Sequence, residues 1–260
     1  MKLAGWIGLA LSIAPFSTFA ASIRDTVLFC NNGSPCTIVI QSTTGPVVGS
    51  SPLFSGTVSG SADATGGILH ASSSYNFTTS APQSGQVNGN AQFFDQLTIN
   101  DAGLTGTIGY LVPTFAVTGS VSGPADAVVG FLIQGCTPTG PIFCQTTRVT
   151  GNSMVSFNPI AFTFGQPFSF EMDFGTEAFY GPGGGLNAAA NFSHTALLNG
   201  LHVFQNSDGT NPVPSQNLTF TSTGDVSYSV NGIVPEPASV LLIVSGLACI
   251  AAISRKRKTL

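Results

Sequence analysis

In the stretch PFSFEMDFG, residues 167–175, Phe168, Phe170, Met172 and Phe174 alternate with Ser169, Glu171 and Asp173. Successive side chains of a strand point to opposite faces, whereas the apolar stripe of a helix recurs every three or four positions. The spacing therefore predicts a strand with one apolar face building core and one polar face toward water. Pro167 suits its first position, where no ladder hydrogen bond is lost. The same alternation recurs at 72–80, 91–100, 110–123, 128–134 and 153–164, with turn residues between the segments. Ten or so short strands of this kind predict an all-β fold, an antiparallel β-sandwich or a jelly-roll-like body.

Composition agrees with this reading. Only 7% of the 260 residues are charged, against roughly 25% in ordinary soluble domains. The 31 Gly and 16 Pro disfavour long helices and supply frequent turns. Between residues 21 and 232, Arg24 and Arg148 stand against ten acids, a formal net of minus eight. Such a body repels phosphate backbones, which excludes nucleic acid as a partner.

An internal echo is present: GTVSGSADATGG (56–67) and GSVSGPADAVVG (119–130) align without gaps. A duplicated strand-turn unit would place equivalent hairpins at the two positions, and chance similarity in a chain rich in Gly, Ser and Ala is the competing account.

Residues for chemistry are few. There is no HExxH pair and no GxSxG elbow, and the Asn199-Gly200 turn signal separates His194 from His202, with His70 distant in sequence. The histidines read as structural, the chain as non-enzymatic and without a cofactor. Glu171, Asp173 and Glu177 in EMDFGTE are candidates for oxygen ligands to Ca²⁺, or for the paired carboxylates of a glycosidase; the plain alternative is a solvated strand face. Tyr180 and the Gly181–Gly185 loop are candidate contacts for a carbohydrate. Sequons stand at Asn32, Asn76, Asn191 and Asn217.

The two ends carry targeting signals. Lys2, the apolar run Leu3–Ala14 and PFSTFA at 15–20 have the layout of a secretory leader, with signal peptidase cutting after Ala20. Export puts the cysteines in an oxidising compartment. Cys30, Cys36, Cys136 and Cys144 are the disulfide candidates, two local bridges being the simplest of three possible pairings. At the other end stand Val234, Pro235, Glu236 and Pro237, then an apolar run from Ala238, then Arg255, Lys256, Arg257 and Lys258. A helix over 238–254 is short for a hydrocarbon core of roughly 30 Å. Snorkelling basic side chains extend it, and they hold the tail in the cytoplasm, leaving the body outside.

The leader, VPEP, apolar run and terminal basic cluster together resemble the PEP-CTERM sorting signal of Gram-negative bacteria. The resemblance covers about 25 residues of the tail. It implies recognition of Val234–Pro237 by an exosortase, a membrane-embedded transpeptidase. It also implies a surface or matrix role in exopolysaccharide production and biofilm formation. The body segments FFDQLTI, FTFGQPFSF and ANFSHTALLNGLHVF are similar to β-rich ectodomains that accompany the signal. The expected organisation is a signal peptide at 1–20, a β-rich extracytoplasmic domain at 21–232 and a sorting element at 233–237. A transmembrane helix at 238–254 and a basic tail at 255–260 follow. The protein is then exported and held by one pass of the inner membrane before release to the cell surface or matrix. A carbohydrate-binding module is the rival role, and a secreted hydrolase a weaker one.

Overall fold

The computed structural model describes residues 21–31, 37–53, 55–64, 67–133, 144–224 and 226–234. Its strands are β1 (Ser22–Asn31), β2 (Thr37–Ser42), β3 (Val47–Leu53), β4 (Gly56–Asp63), β5 (Ile68–Phe77), β6 (Gly85–Asn100), β7 (Ile108–Ser122) and β8 (Ala125–Ile133). They continue as β9 (Cys144–Val149), β10 (Gly151–Ser156), β11 (Ile160–Thr163), β12 (Pro167–Tyr180), β13 (Asn187–Phe204), β14 (Thr219–Ser222), β15 (Ser227–Ser229) and β16 (Gly232–Val234). Each segment singled out by its alternation is a strand or, at 153–164, a pair of strands. The sequence-predicted leader, Cys36, Cys136, Pro235–Pro237, the helix at 238–254 and the basic cluster lie outside the described residues. Among the described residues no helix is long and apolar enough to cross a membrane.

Among the described residues the strands form two antiparallel seven-stranded sheets and a two-stranded one, β15-β16. The first runs β2-β1-β6-β12-β8-β9 with β14 added to β6; the second runs β10-β7-β13-β5-β4-β3 with β11 added to β7. Their inner faces pack together as a sandwich. Pro113, inside β7, has no N–H to give, and it falls between the stretch paired with β11 and the stretch paired with β10, where a missing donor costs the ladder least.

The core is built from the residues that alternation assigned to it. Phe170, Met172 and Phe174 of β12 are buried, as are Phe115, Phe131, Phe164 and Phe192. It divides into two apolar clusters, and the divider is a row of small residues. On the first sheet Gly89 pairs with Thr176; on the second Gly60 pairs with Ser73. A Cβ on Gly89 would lie 2.3 Å from the Ser61 carbonyl oxygen and 2.5 Å from that of Ser72. The two backbones therefore touch there, and only glycine fits.

Two sequence expectations fail. The echo does not mark equivalent hairpins: Gly60 and Ser61 lie inside β4, whereas the matching Gly123 and Pro124 form the turn from β7 to β8, with Gly123 at φ 65°. Shared composition, not duplication, made the two stretches alike. Nor does Asn199-Gly200 turn the chain. β13 runs through it, and the register against β7 shifts between Leu198 and Gly200, so the pair forms a β-bulge. Thr114 Oγ1 would lie 2.4 Å from a Cβ on Gly200, which accounts for the glycine.

Candidate functional site

Six of the eleven charged residues in the described set, Arg24, Asp126, Arg148, Glu171, Asp173 and Glu177, lie on the outer face of the first sheet. Its middle strands are β6 and β12, and alternation turns Asn88, Asn90, Gln92 and Phe94 outward from one, Glu171, Asp173, Gly175, Glu177 and Phe179 from the other. Register fixes the grid: Asp173 stands opposite Gln92, Gly175 opposite Asn90 and Glu177 opposite Asn88. Across β12, Asp173 faces Gly130, Gly175 faces Val128 and Glu177 faces Asp126. Arg24 of β1 lies beside Gln92, and Arg148 of β9 beside Val128.

Pairing within the grid is local. Gln92 Nε2 donates to Glu171 Oε1 at 2.7 Å, and the Arg24 guanidinium lies over the Phe94 ring, 5.5 Å from its centroid. Arg148 bonds the Asp126 carboxylate and stands 3.6 Å from Glu177 Oε2. The polar face is less open than alternation alone implied. Burial pushes the Asp173 carboxyl up to about 7, with the Glu171 charge adding to the shift while Asn90 opposes it. Burial also raises Glu171, against Arg24 and Gln92. It raises Glu177 too, helped by Asp126 and opposed by Arg148.

The three acids proposed for calcium are thus divided. Glu171 belongs to Gln92 and Arg24, Glu177 to Arg148 and Asp126, and Asp173 lies between them. Among the described residues no group of three or more His, Cys, Asp or Glu is arranged to hold a metal. The carbohydrate contact expected at Tyr180 is also displaced. Its ring is buried against Tyr75 and Phe77, and its hydroxyl donates to the Cys30 carbonyl at 3.3 Å.

His70 and His202 are not brought together. His70 on β5 stands opposite Asp63 on β4, whereas His202 is exposed on β13 beside a hollow lined by Phe204, Pro212, Val213 and Val230. His194 lies within β13, its side chain outside the described set. Cys30 ends near the tip of β1 and Cys144 opens β9. Val234 is the last residue of β16, paired with Ser227.

No family model matches the chain, and no curated protein does. Among solved structures, the enzymatically active domain of tailspike protein 4 from bacteriophage CBA120 is similar in part, at 13% identity and a TM-score of 0.19. The match covers 57% of this chain and 18% of that one. So slight a likeness carries no argument about function.

The amides of β6 are what sequence reasoning missed. GQVNGNAQFF does alternate, with Gln86, Asn88, Asn90 and Gln92 on one side. Only the pairing of β6 with β12 shows that they confront the acids of EMDFGTE.

Proposed function

We propose that this is an exported, non-enzymatic surface or matrix protein, sorted through its C-terminal segment and associated with exopolysaccharide. Signal peptidase removes residues 1–20, the apolar run at 238–254 tethers the body outside the inner membrane, and an exosortase reads Pro235-Glu236-Pro237. The observation that carries the reading is the order of parts at the C-terminal end. The structure describes the body as far as Val234, in β16, and in the sequence Pro-Glu-Pro, the apolar run and four basic residues come after it.

Two local disulfides belong to the same proposal. The β1–β2 pair is described as far as Phe29 opposite Thr37, and in sequence Cys30 and Cys36 are the residues next to that pair.

The test is to express the full chain with and without a host exosortase and to map the mature C-terminus by mass spectrometry. With the enzyme, the terminus is expected near residues 235–237, and Glu236→Ala is expected to abolish that processing. A terminus at Leu260 in both hosts, with location unaffected by Glu236→Ala, would refute the sorting claim.

A further inference from the structure

The polar grid on the first sheet has a gap at its centre. Gly175 brings no side chain, and the nearest atoms to a Cβ placed there are Asn90 Oδ1 at 3.5 Å and the Gly89 carbonyl oxygen at 4.0 Å. Asp173 and Glu177 stand on either side along β12. With same-face neighbours about 6.7 Å apart along a strand and strands about 4.8 Å apart, the gap is one side chain deep and lies at the middle of the sheet.

Around this gap the hydrogen bonding is incomplete. Asn88 Oδ1, Asn90 Oδ1, Asp126 Oδ1 and Asp173 Oδ1 are shielded from water and have no hydrogen-bond partner. They are half of the eight such side-chain atoms among the described residues, and all four belong to one sheet face. A shielded, unpaired acceptor is costly, so four together call for an explanation. Every one is an oxygen, and what oxygens lack is either a cation or a set of O–H donors.

The charges decide between those two. A cation would need carboxylates free to hold it, but Glu171 is engaged by Gln92 and Arg24, and Asp126 and Glu177 by Arg148. Hydroxyl groups need only single acceptors, which is what the face offers. Phe179, half-buried on the same face of β12, adds an apolar surface in line with Gly175, of the sort that receives the C–H side of a sugar ring. Four carboxylates against two arginines make the face unwelcoming to polyanions.

We propose that the outer face of the first sheet, centred on the gap at Gly175, binds a polysaccharide without acidic groups, whose hydroxyls donate to Asn88, Asn90, Asp126 and Asp173 once these partly exposed side chains turn their shielded oxygens outward. The inference rests on the exopolysaccharide role proposed above and gives it a location, away from the Tyr180 loop. Binding closes the unpaired acceptors and covers the gap.

The full chain in detergent is tested for retention on dextran and cellulose (neutral), chitosan (amino) and alginate (acidic). Retention is expected on a neutral or amino polymer and not on alginate. Gly175→Val fills the gap; its Cβ meets only ordinary contact distances and valine suits a strand, so folding is retained. It should weaken binding about tenfold, as for the loss of one or two hydrogen bonds. Asn90→Ala should weaken it as well, whereas Ser72→Ala on the outer face of the other sheet should not. The proposal is overturned by failure to bind any neutral or amino polymer, by preference for alginate, by indifference to Gly175→Val, or by loss of binding in EDTA, which would mark a cation site. Mapping of the mature C-terminus reads the sorting claim separately, so either can fail alone.

Discussion

Gly89 shows how much a single missing side chain can decide. The carbonyl oxygens of Ser61 and Ser72 come within 2.5 Å of the place where its Cβ would stand, and neither is a side-chain end that could swing aside. Gly89→Ala must push the two sheets apart along the row of small residues that holds Thr176, Gly60 and Ser73, opening both apolar clusters. The expected loss is on the order of 3 kcal/mol, the upper part of the range for overpacking, read from urea denaturation. A loss below about 0.5 kcal/mol would show that the sheets are not in backbone contact. Gly175→Ala on the outer face of the same sheet serves as the control, since its Cβ meets nothing closer than 3.5 Å. The sequence NGNAQ gives no hint of this difference. Gly89 and Gly175 are both glycines inside alternating strands, and only the facing sheet makes one indispensable. Tyr180 misleads for a related reason: a tyrosine next to GPGGG looks like a loop residue, yet it closes β12 and its parity with Ala178 sends the ring inward.

At the scale of elements, alternation located the strands because one face of each is buried, and burial imposes the period of two. What alternation could not supply was partners. Asn199-Gly200 carries the composition of a hairpin turn, but β13 pairs with β7 on both sides of it and carries Asn199 as the extra residue of a bulge. The C-terminal hairpin was also illegible, because β15 and β16 are three residues each and their anchor lies far away in sequence. That anchor is Asp95, buried on β6, whose Oδ2 accepts from the Tyr228 hydroxyl at 2.9 Å and from the Ser222 hydroxyl at 2.6 Å. Its Oδ1 accepts from the Gln96 N–H at 2.7 Å. The Tyr228 ring packs edge-on against Phe170, and burial together with the Asp95 charge raises the phenol, so it stays a donor at any ordinary pH. Tyr228→Phe keeps the ring and removes the donor to a charged acceptor, a loss of about 1.5–3 kcal/mol. Because the Leu201 N–H donates to the Val230 carbonyl at 3.1 Å, hydrogen exchange at Leu201 should accelerate in the variant while amides of β6 and β12 hold. Unchanged exchange at Leu201 would mean that the hairpin is held by packing alone.

The whole molecule is a sandwich with two unlike outer surfaces. One is the grid of amides, carboxylates and arginines; the other carries cross-strand serine pairs, Ser59 with Ser74 at 2.8 Å and Ser61 with Ser72 at 2.7 Å. The all-β class was legible in the sequence, and so was the placing of Glu171 and Asp173 on one strand face; Glu177 joins them because β12 runs on past 175 to Tyr180. Their division among different partners was not, since Arg24, Gln92, Asp126 and Arg148 come from β1, β6, β8 and β9. The low charge content has a further consequence at this scale: few cations are present to balance carboxylates that burial has taken from water. Asp25 is fully buried between the sheets, receives the Ala64 N–H at 3.4 Å on Oδ2, and has no partner on Oδ1. Burial pushes its carboxyl up to about 6, with Asp63 adding to the shift against the Ala64 bond, and Asp173 goes up to about 7. Each folded acid thus holds its proton more tightly than the unfolded chain, whose value is 3.8 for both. The stabilisation is complete below that value and is lost as pH rises, through about 6 for Asp25 and about 7 for Asp173. The melting temperature should therefore fall between pH 4 and pH 8, opposite to the acid unfolding of proteins held by paired carboxylates. Asp25→Asn and Asp173→Asn cannot ionise, so each should raise the melting temperature at pH 8 and leave it nearly unchanged at pH 4, by on the order of 1 kcal/mol or more apiece. The two lie on opposite faces of the first sheet, so the double variant should sum the single effects and flatten the profile. A wild-type profile that instead rises from pH 4 to pH 8 would show that both carboxylates are charged and satisfied in the fold.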